Sequence, residues 1–240
     1  MNLVIDIGNT NTKLAVFNKN KMIEYISSQT LDSHILDRLL IKFPKITDVC
    51  VSNNHIYSDE ISRFTERRGL KLIYVEHDSN LPITINYKTP KTLGSDRIAL
   101  AVGSLQYPGD KLIIDLGTCI TYDLVLDNQY LGGQISLGIN MRLDALNSYT
   151  ANLPKLDFVN SYNFIGITTK MSILTGIYDS IYFELNNVIE KYKSRYPNVI
   201  VILTGSDSVI VKKILKNINF INPYLLIEGL NYIIANNEKT

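Results

Sequence analysis

Cysteine is nearly absent from this chain: Cys50 and Cys119 are the only two in 240 residues, too few for the disulfide framework that holds small exported domains together. Histidine is as scarce. His34, His55 and His77 form no metal-ligand spacing with the cysteines, which argues against a structural zinc site. An excess of either charge is missing as well, with 24 Lys and Arg against 23 Asp and Glu and a formal net charge of +1. A protein that neutralises many backbone phosphates is basic, so no nucleic-acid partner is expected. No apolar run approaches the roughly 18 residues of a membrane span. Asp6 interrupts the first apolar run, and no basic region precedes it, unlike an export signal. The expectation is a soluble, cytoplasmic protein with no membrane partner.

What is present is the material of a core. Apolar residues make up 45% and charged residues 20% of the chain, a balance of folded rather than disordered proteins. A length of 240 residues suits one large domain or two small ones.

Short β-type runs separated by turn residues open the chain. Leu3 to Ile7, Lys13 to Phe17 and Met22 to Ile26 are punctuated by GNTN at 8–11 and NKNK at 18–21, which predicts an antiparallel three-stranded meander. Leu31, Ile35, Leu36, Leu39 and Leu40 then follow a helical period that Pro44 ends. A strand over TDVCVSN, a helix over SDEISRFTERRG and a strand over KLIYV continue the alternation, and another helix begins at or near Ser95 and ends before Pro108.

At Lys111 the pattern restarts. VIDIGNTNTKLAVFN (4–18) matches IIDLGTCITYDLVLD (113–127) at a shift of about 109 residues. Asp6 falls on Asp115, Gly8 on Gly117, Thr12 on Thr121 and Val16 on Val125. A third strand (129–136) follows, then helices around 139–149 and 169–193, a strand at 199–205, a helix from Ser206 to Lys216 and a last helix near Leu225 to Ala235. The fold expected is α/β, a duplicated βββαβα unit with domains at 1–110 and 111–240.

The segment Asp6-Ile7-Gly8-Asn9-Thr10-Asn11-Thr12-Lys13 ends an apolar strand in a carboxylate and follows it with small turn residues, hydroxyls and a lysine. Such a turn exposes backbone N–H groups to a polyanion; alone it also reads as an ordinary hairpin with Asx-type residues. Its repetition at Asp115 favours a nucleotide cleft between two domains. A carboxylate about 4 Å from a phosphate oxygen is repelled by roughly 4 kcal/mol at an effective dielectric near 20. Asp6 therefore needs a cation beside it, and Mg²⁺ held through water meets that need. In Tyr87-Lys88-Thr89-Pro90-Lys91-Thr92-Leu93-Gly94-Ser95-Asp96-Arg97, Gly94 and Ser95 launch a helix with free N–H donors. Asp96 is either a proton acceptor for an attacking hydroxyl or a compensator of the helix dipole. Neither G-x-x-x-x-G-K-[ST] nor G-x-G-x-x-G occurs, so a P-loop or Rossmann nucleotide site is not supported. Thr204-Gly205-Ser206-Asp207 reads as a turn over an adenosine or as a plain N-cap.

Taken in order, D-x-G-N-T, Y-x-x-P-x-x-L-G-x-D-R, I-D-x-G-T-x-x-T-x-D and G-G-x-I-x-x-G resemble type III pantothenate kinase, of the acetate and sugar kinase, chaperone ATPase and actin superfamily. The resemblance covers nearly the whole chain. It implies duplicated ribonuclease H-like (actin-like ATPase) domains with the active site in the interdomain cleft, and phosphorylation of the pantothenate 4′-hydroxyl by ATP in a homodimer. Mg²⁺ and a monovalent cation, K⁺ or ammonium, are the implied cofactors. By position, Asp6 to Lys13 match the ATP phosphate loop, with Asp6 toward Mg²⁺, and Thr118 matches an ATP contact. Asp96 matches the proton acceptor, and Tyr87, Gly94, Ser95, Asp96 and Arg97 the pantothenate contacts. Asp115 matches the monovalent-cation ligand, and Thr169 a threonine that reaches pantothenate, often across the dimer interface. Departures fall at Leu137, where the family has proline, at Cys119, where it has alanine, and at Ser206, where it has glycine. Other readings are a different kinase or phosphatase of the superfamily, or a nucleotide-binding regulator without catalysis. Ile173, Ile177, Tyr178, Ile181 and Tyr182 are candidates for an interface or for core.

Overall fold

The computed structural model describes residues 1–31, 33–53, 58–159, 163–211, 215 and 217–238. In chain order its elements are β1 (Asn2–Ile7), β2 (Thr12–Asn18), β3 (Lys21–Ser28), α1 (Ser33–Lys42), β4 (Asp48–Asn53), α2 (Ser58–Glu66), β5 (Lys71–Tyr74), β6 (Thr84–Ile85) and α3 (Ser95–Gly103). Then follow β7 (Lys111–Leu116), β8 (Cys119–Leu126), β9 (Gln129–Leu137), α4 (Ile139–Ser148), α5 (Thr169–Arg195), β10 (Ile200–Thr204), α6 (Ser208–Val211), β11 (Phe220–Ile221) and α7 (Leu225–Asn237). The contacts divide the chain into two compact units, Met1–Pro108 with Val125–Gly132 and Tyr224–Thr240, and Gly109–Leu124 with Gly133–Pro223. That division departs from a single cut at residue 110 in two places: the β8–β9 turn and the C-terminal helix both join the first unit.

The sheet of the first unit runs β3-β2-β1-β4-β5, antiparallel through the meander and parallel from β1 to β4 and β5. β1 is central, so every residue of NLVIDI is buried. Alternation sends Leu3, Ile5 and Ile7 to one face, where they join Leu14, Val16, Val49 and Val51 and the apolar stripes of α1 and α2 in one core. Asn2, Val4 and Asp6 take the other face. There Asn231 of α7 donates from Nδ2 to Lys19 O at 3.0 Å, and the buried Asn2 donates to Asn231 Oδ1 at 2.9 Å, so the end of the chain is tied to its beginning. α7 also crosses α3 at close range. A β-carbon on Gly229 would overlap the Ala99 carbonyl, and one on Gly103 the Leu225 carbonyl.

The meander recurs in β7, β8 and β9, neighbours in one sheet. β7 and β8 are joined by only Gly117 and Thr118, and the β8–β9 turn uses Asp127 and Asn128 at φ 48° and 58°, the primed-turn geometry of tight hairpins. β10 pairs in parallel with β7 and with β11. α5 presents Ile173, Ile177, Ile181, Leu185 and Ile189 as a buried stripe four residues apart. Ile173, Ile177 and Ile181 are therefore core rather than interface, and Tyr178 and Tyr182 are half-buried. The helix expected from Ser206 is described over Ser208–Val211; 212–214 and 216 lie outside the described residues. The two-residue strands β6 and β11 carry too little sequence to show a period. Among the described residues no helix is long and apolar enough to cross a membrane.

Candidate active site

In the first unit the site starts at the end of β1. Asp6 is 4% exposed, opposite Lys13 in the β1–β2 register and beside Ser52 in the β1–β4 register. Lys13 Nζ lies 3.4 Å from Asp6 Oδ2, and the nearby Ser52 hydroxyl favours the ionised form of the same carboxylate. Burial pushes the Asp6 carboxyl above the ordinary range; the charge of Lys13 opposes this most strongly, and the negative charge of Asp96 adds to it. The turn beyond is pulled tight by a Gly8 N–H bond to Asn11 O at 3.1 Å. Ile7 and Thr12 are buried at its base, while Gly8, Asn9, Thr10 and Asn11 are exposed.

Gly94 is the extended N-cap residue of α3, so Ser95, Asp96 and Arg97 form its first turn. Ser95 Oγ lies 3.0 Å from Ser52 Oγ, which joins this helix start to the strand neighbour of Asp6. Asp96 is exposed, and its Oδ1 accepts the Arg97 N–H at 2.8 Å. The dipole-compensating contact is thus real, and it leaves Oδ2 for other work. Arg97 is 6% exposed, with its guanidinium 5.9 Å from the Tyr130 ring, and Tyr87 meets the same ring edge-on at 6.0 Å. Tyr87, Tyr130 and Arg97 make one aromatic and cationic wall within the first unit.

In the second unit Asp115 stands beside Thr204 in the β7–β10 register. Gly205, at φ +89°, packs so tightly there that a β-carbon would overlap Asp115 Oδ1 and the Leu116 carbonyl. Thr118 is exposed at the hairpin tip, and its carbonyl accepts from Gly138 N at 3.2 Å, just before α4. Asp123 is fully buried and accepts from Thr121 Oγ1 at 3.1 Å. Burial also raises the Asp207 carboxyl, which the Ser206 hydroxyl partly offsets. Thr169 is the exposed first residue of α5, next to Thr168, whose side chain caps that helix through Met171 N at 3.2 Å. Thr169 joins neither group's hydrogen bonds among the described residues.

The structure thus brings Asp6, Lys13, Ser95 and Asp96 together, with Tyr87 and Arg97 on one wall. Ser52 and Tyr130 join that group without being predicted from sequence: Tyr130 stands beside the G-G-x-I-x-x-G motif, but Ser52 sits in a plain strand and carries no sequence signal. Among the described residues no group of three His, Cys, Asp or Glu side chains is placed to hold a metal ion. One buried carboxylate beside a lysine and an exposed amide-rich turn is instead the donor set of an Mg²⁺ that takes most of its ligands from phosphate and water.

A family model of type III pantothenate kinase matches residues 2–191. Curated relatives named type III pantothenate kinase include one from Flavobacterium johnsoniae, 38% identical over 96% of each chain. Another, from Christiangramia forsetii, is 40% identical over 99% of each. Among solved structures, a Campylobacter jejuni protein named for the Baf family of transcriptional activators aligns with TM-score 0.66 at 20% identity, over 99% of this chain and 100% of its own. An inorganic polyphosphate/ATP-glucomannokinase from Arthrobacter aligns with TM-score 0.53 at 16% identity, over 99% of this chain and 98% of its own. The structural likenesses establish the actin-like ATPase fold shared with sugar kinases. The matched sequence and the near-complete coverage establish the rest: this chain belongs to the type III pantothenate kinase family.

Proposed function

We propose that the chain transfers the γ-phosphoryl group of ATP to the 4′-hydroxyl of pantothenate, giving 4′-phosphopantothenate and ADP in the first step of coenzyme A synthesis. The observation that carries this reading beyond family membership is the 3.0 Å contact of Ser95 with Ser52, the strand neighbour of Asp6, which sets the helix that bears Asp96 beside the phosphate-loop strand.

In this mechanism the exposed turn from Gly8 to Asn11, with Thr10 on it and Thr12 at its base, receives the phosphates, and Lys13 draws off their charge. Mg²⁺, when bound near Asp6, neutralises charge on the phosphate oxygens. Tyr87, Gly94, Ser95 and Arg97 orient pantothenate. Asp96 uses its Oδ2 to accept the proton of the 4′-hydroxyl as that oxygen bonds to the γ-phosphorus and the bond to the bridging oxygen of ADP breaks. Such general-base help is typically worth about 10² to 10⁴ in rate. Thr118 would contact ATP, and Asp115 would hold a monovalent cation, K⁺ or ammonium. The exposed run Phe164, Ile165 and Ile167 ahead of Thr169 supports a homodimer in which Thr169 serves the partner's pantothenate. The enzyme is expected to work in the cytoplasm.

ATP consumption by the purified chain, with and without pantothenate and in K⁺ against Na⁺ buffer, tests the proposal. Turnover should require pantothenate and be faster in K⁺. Pantothenate-independent hydrolysis, or none, contradicts it.

A further inference from the structure

Arg142, on α4, lies just past the G-G-x-I-x-x-G motif, and the mechanism above gives it no step. Its side chain is 14% exposed, and each guanidinium nitrogen donates. Nε bonds the Leu137 carbonyl at 2.9 Å, Nη1 bonds Ser180 Oγ at 3.0 Å, and Nη2 bonds Ser136 Oγ at 3.2 Å and the Glu184 carboxylate. Glu184 is held in turn, because its other oxygen accepts from the Tyr122 hydroxyl at 2.8 Å. A planar fork gripped on all sides has one orientation.

The Leu137 carbonyl shares a peptide group with the Gly138 N–H, and that N–H donates to the Thr118 carbonyl at 3.2 Å. A trans peptide group is planar, with its C=O and N–H on opposite edges. Arg142 on one edge therefore sets the direction of the donor on the other. The approach is close: a β-carbon on Gly138 would overlap the carbonyls of Thr118 and Gly117, so the end of β9 rests directly on the β7–β8 turn.

We propose that Arg142 is a positioning residue for nucleotide binding: it holds the Leu137–Gly138 peptide, and through it the backbone of Gly117 and Thr118, in the shape that receives ATP. The proposal rests on the reading that Thr118 meets ATP. Without the guanidinium the Leu137 carbonyl loses its Nε donor, the peptide turns, and the N–H that holds Thr118 swings away. The loss falls on ATP rather than on pantothenate, because Leu137, Gly138 and Thr118 lie in the second unit, whereas Tyr87 and Gly94 to Arg97 lie in the first.

Equilibrium binding of ATP and KM for pantothenate, measured for wild type, Arg142→Ala, Arg142→Lys, Ser180→Ala and Gly138→Ala, test this. Arg142→Lys keeps a positive charge beside Glu184 without the fork that reaches Leu137 at the same time. Both Arg142 variants should weaken ATP binding about fivefold or more, while KM for pantothenate stays within about twofold. Ser180→Ala removes a guanidinium contact that does not bear on the peptide, and it should leave ATP binding within about twofold. Arg142→Lys that binds ATP as the wild type does overturns the proposal, even if the alanine variant fails to fold. So does an equal loss toward both substrates, or a Ser180→Ala variant as impaired as Arg142→Lys. Gly138→Ala displaces the Thr118 carbonyl directly: unchanged ATP binding there removes the reading of Thr118 and this inference with it, whereas weakened binding there beside normal binding in Arg142→Lys removes the inference alone. ATP binding is measured without turnover, so a chain that leaves pantothenate unmodified removes the reading of the reaction and not this test.

Discussion

Asp6 on β1 and Lys13 on β2 are register partners, and their side chains meet at 3.4 Å. The pair lies on the sheet face opposite the main apolar core, where α7 packs on β1. Its two members differ in exposure: Asp6 is almost sealed, while the Lys13 side chain is 30% exposed.

Burial raises the Asp6 carboxyl above its unfolded value near 3.9, despite Lys13. The folded state therefore holds this proton more tightly than the unfolded state. The Asp6 contribution to stability is most favourable below about pH 3.9 and is lost as pH rises through the folded value. At neutral pH the ionised group opposes folding. Asp6→Asn should accordingly keep or raise Tm at pH 7 while lowering kcat at least about tenfold. Thermal melts and steady-state rates on the same preparation check this. A fall in Tm of many degrees would mean that the pair with Lys13 outweighs the cost of burial.

Gly205→Ala meets two penalties at once. Its φ of +89° is unfavourable for any residue with a β-carbon, and that carbon would overlap Asp115 Oδ1 and the Leu116 carbonyl. Backbone strain of this kind costs on the order of 1–3 kcal/mol. The variant should melt several degrees lower and need more K⁺ for half-maximal rate, since Asp115 must move. A potassium titration that matches the wild type would separate Asp115 from the cation response.

The two cysteines should differ sharply toward thiol reagents. Cys50 is fully buried in β4, and burial pushes its thiol up, away from the reactive thiolate. Cys119 is half-buried at the hairpin tip, with its Sγ 3.8 Å from Met141 Sδ. Native protein should titrate one thiol quickly and the second only on unfolding. Saturating ATP should slow the first, because Cys119 directly follows Thr118. Two equally fast thiols would contradict the burial of β4.

The meander, the repeat and the positions of Asp6, Lys13, Asp96 and Asp115 are legible in the chain because strand alternation and turn residues are local signals. What is not legible depends on partners far away in sequence. α7 reads as the end of the second repeat, yet Gly229 and Asn231 fit it to α3 and β1 in the first unit. The tyrosine-bearing face of α5 reads equally as core or interface, and only the packed unit shows Ile173, Ile177 and Ile181 buried. Ser52 gains its meaning from a parallel neighbour 46 positions earlier in the chain, a pairing that the register alone reveals.

Phosphoryl transfer to pantothenate with Asp96 as the proton acceptor fixes both the product and its dependence on that carboxylate. Mass spectrometry of the products, for wild type and Asp96→Asn with ATP, Mg²⁺ and pantothenate, tests it most directly. Wild type should yield 4′-phosphopantothenate and ADP in equal amounts, and the variant should form the same product at least about tenfold more slowly while still binding ATP. A wild type that leaves pantothenate unmodified, or a variant of near-normal rate, would contradict it.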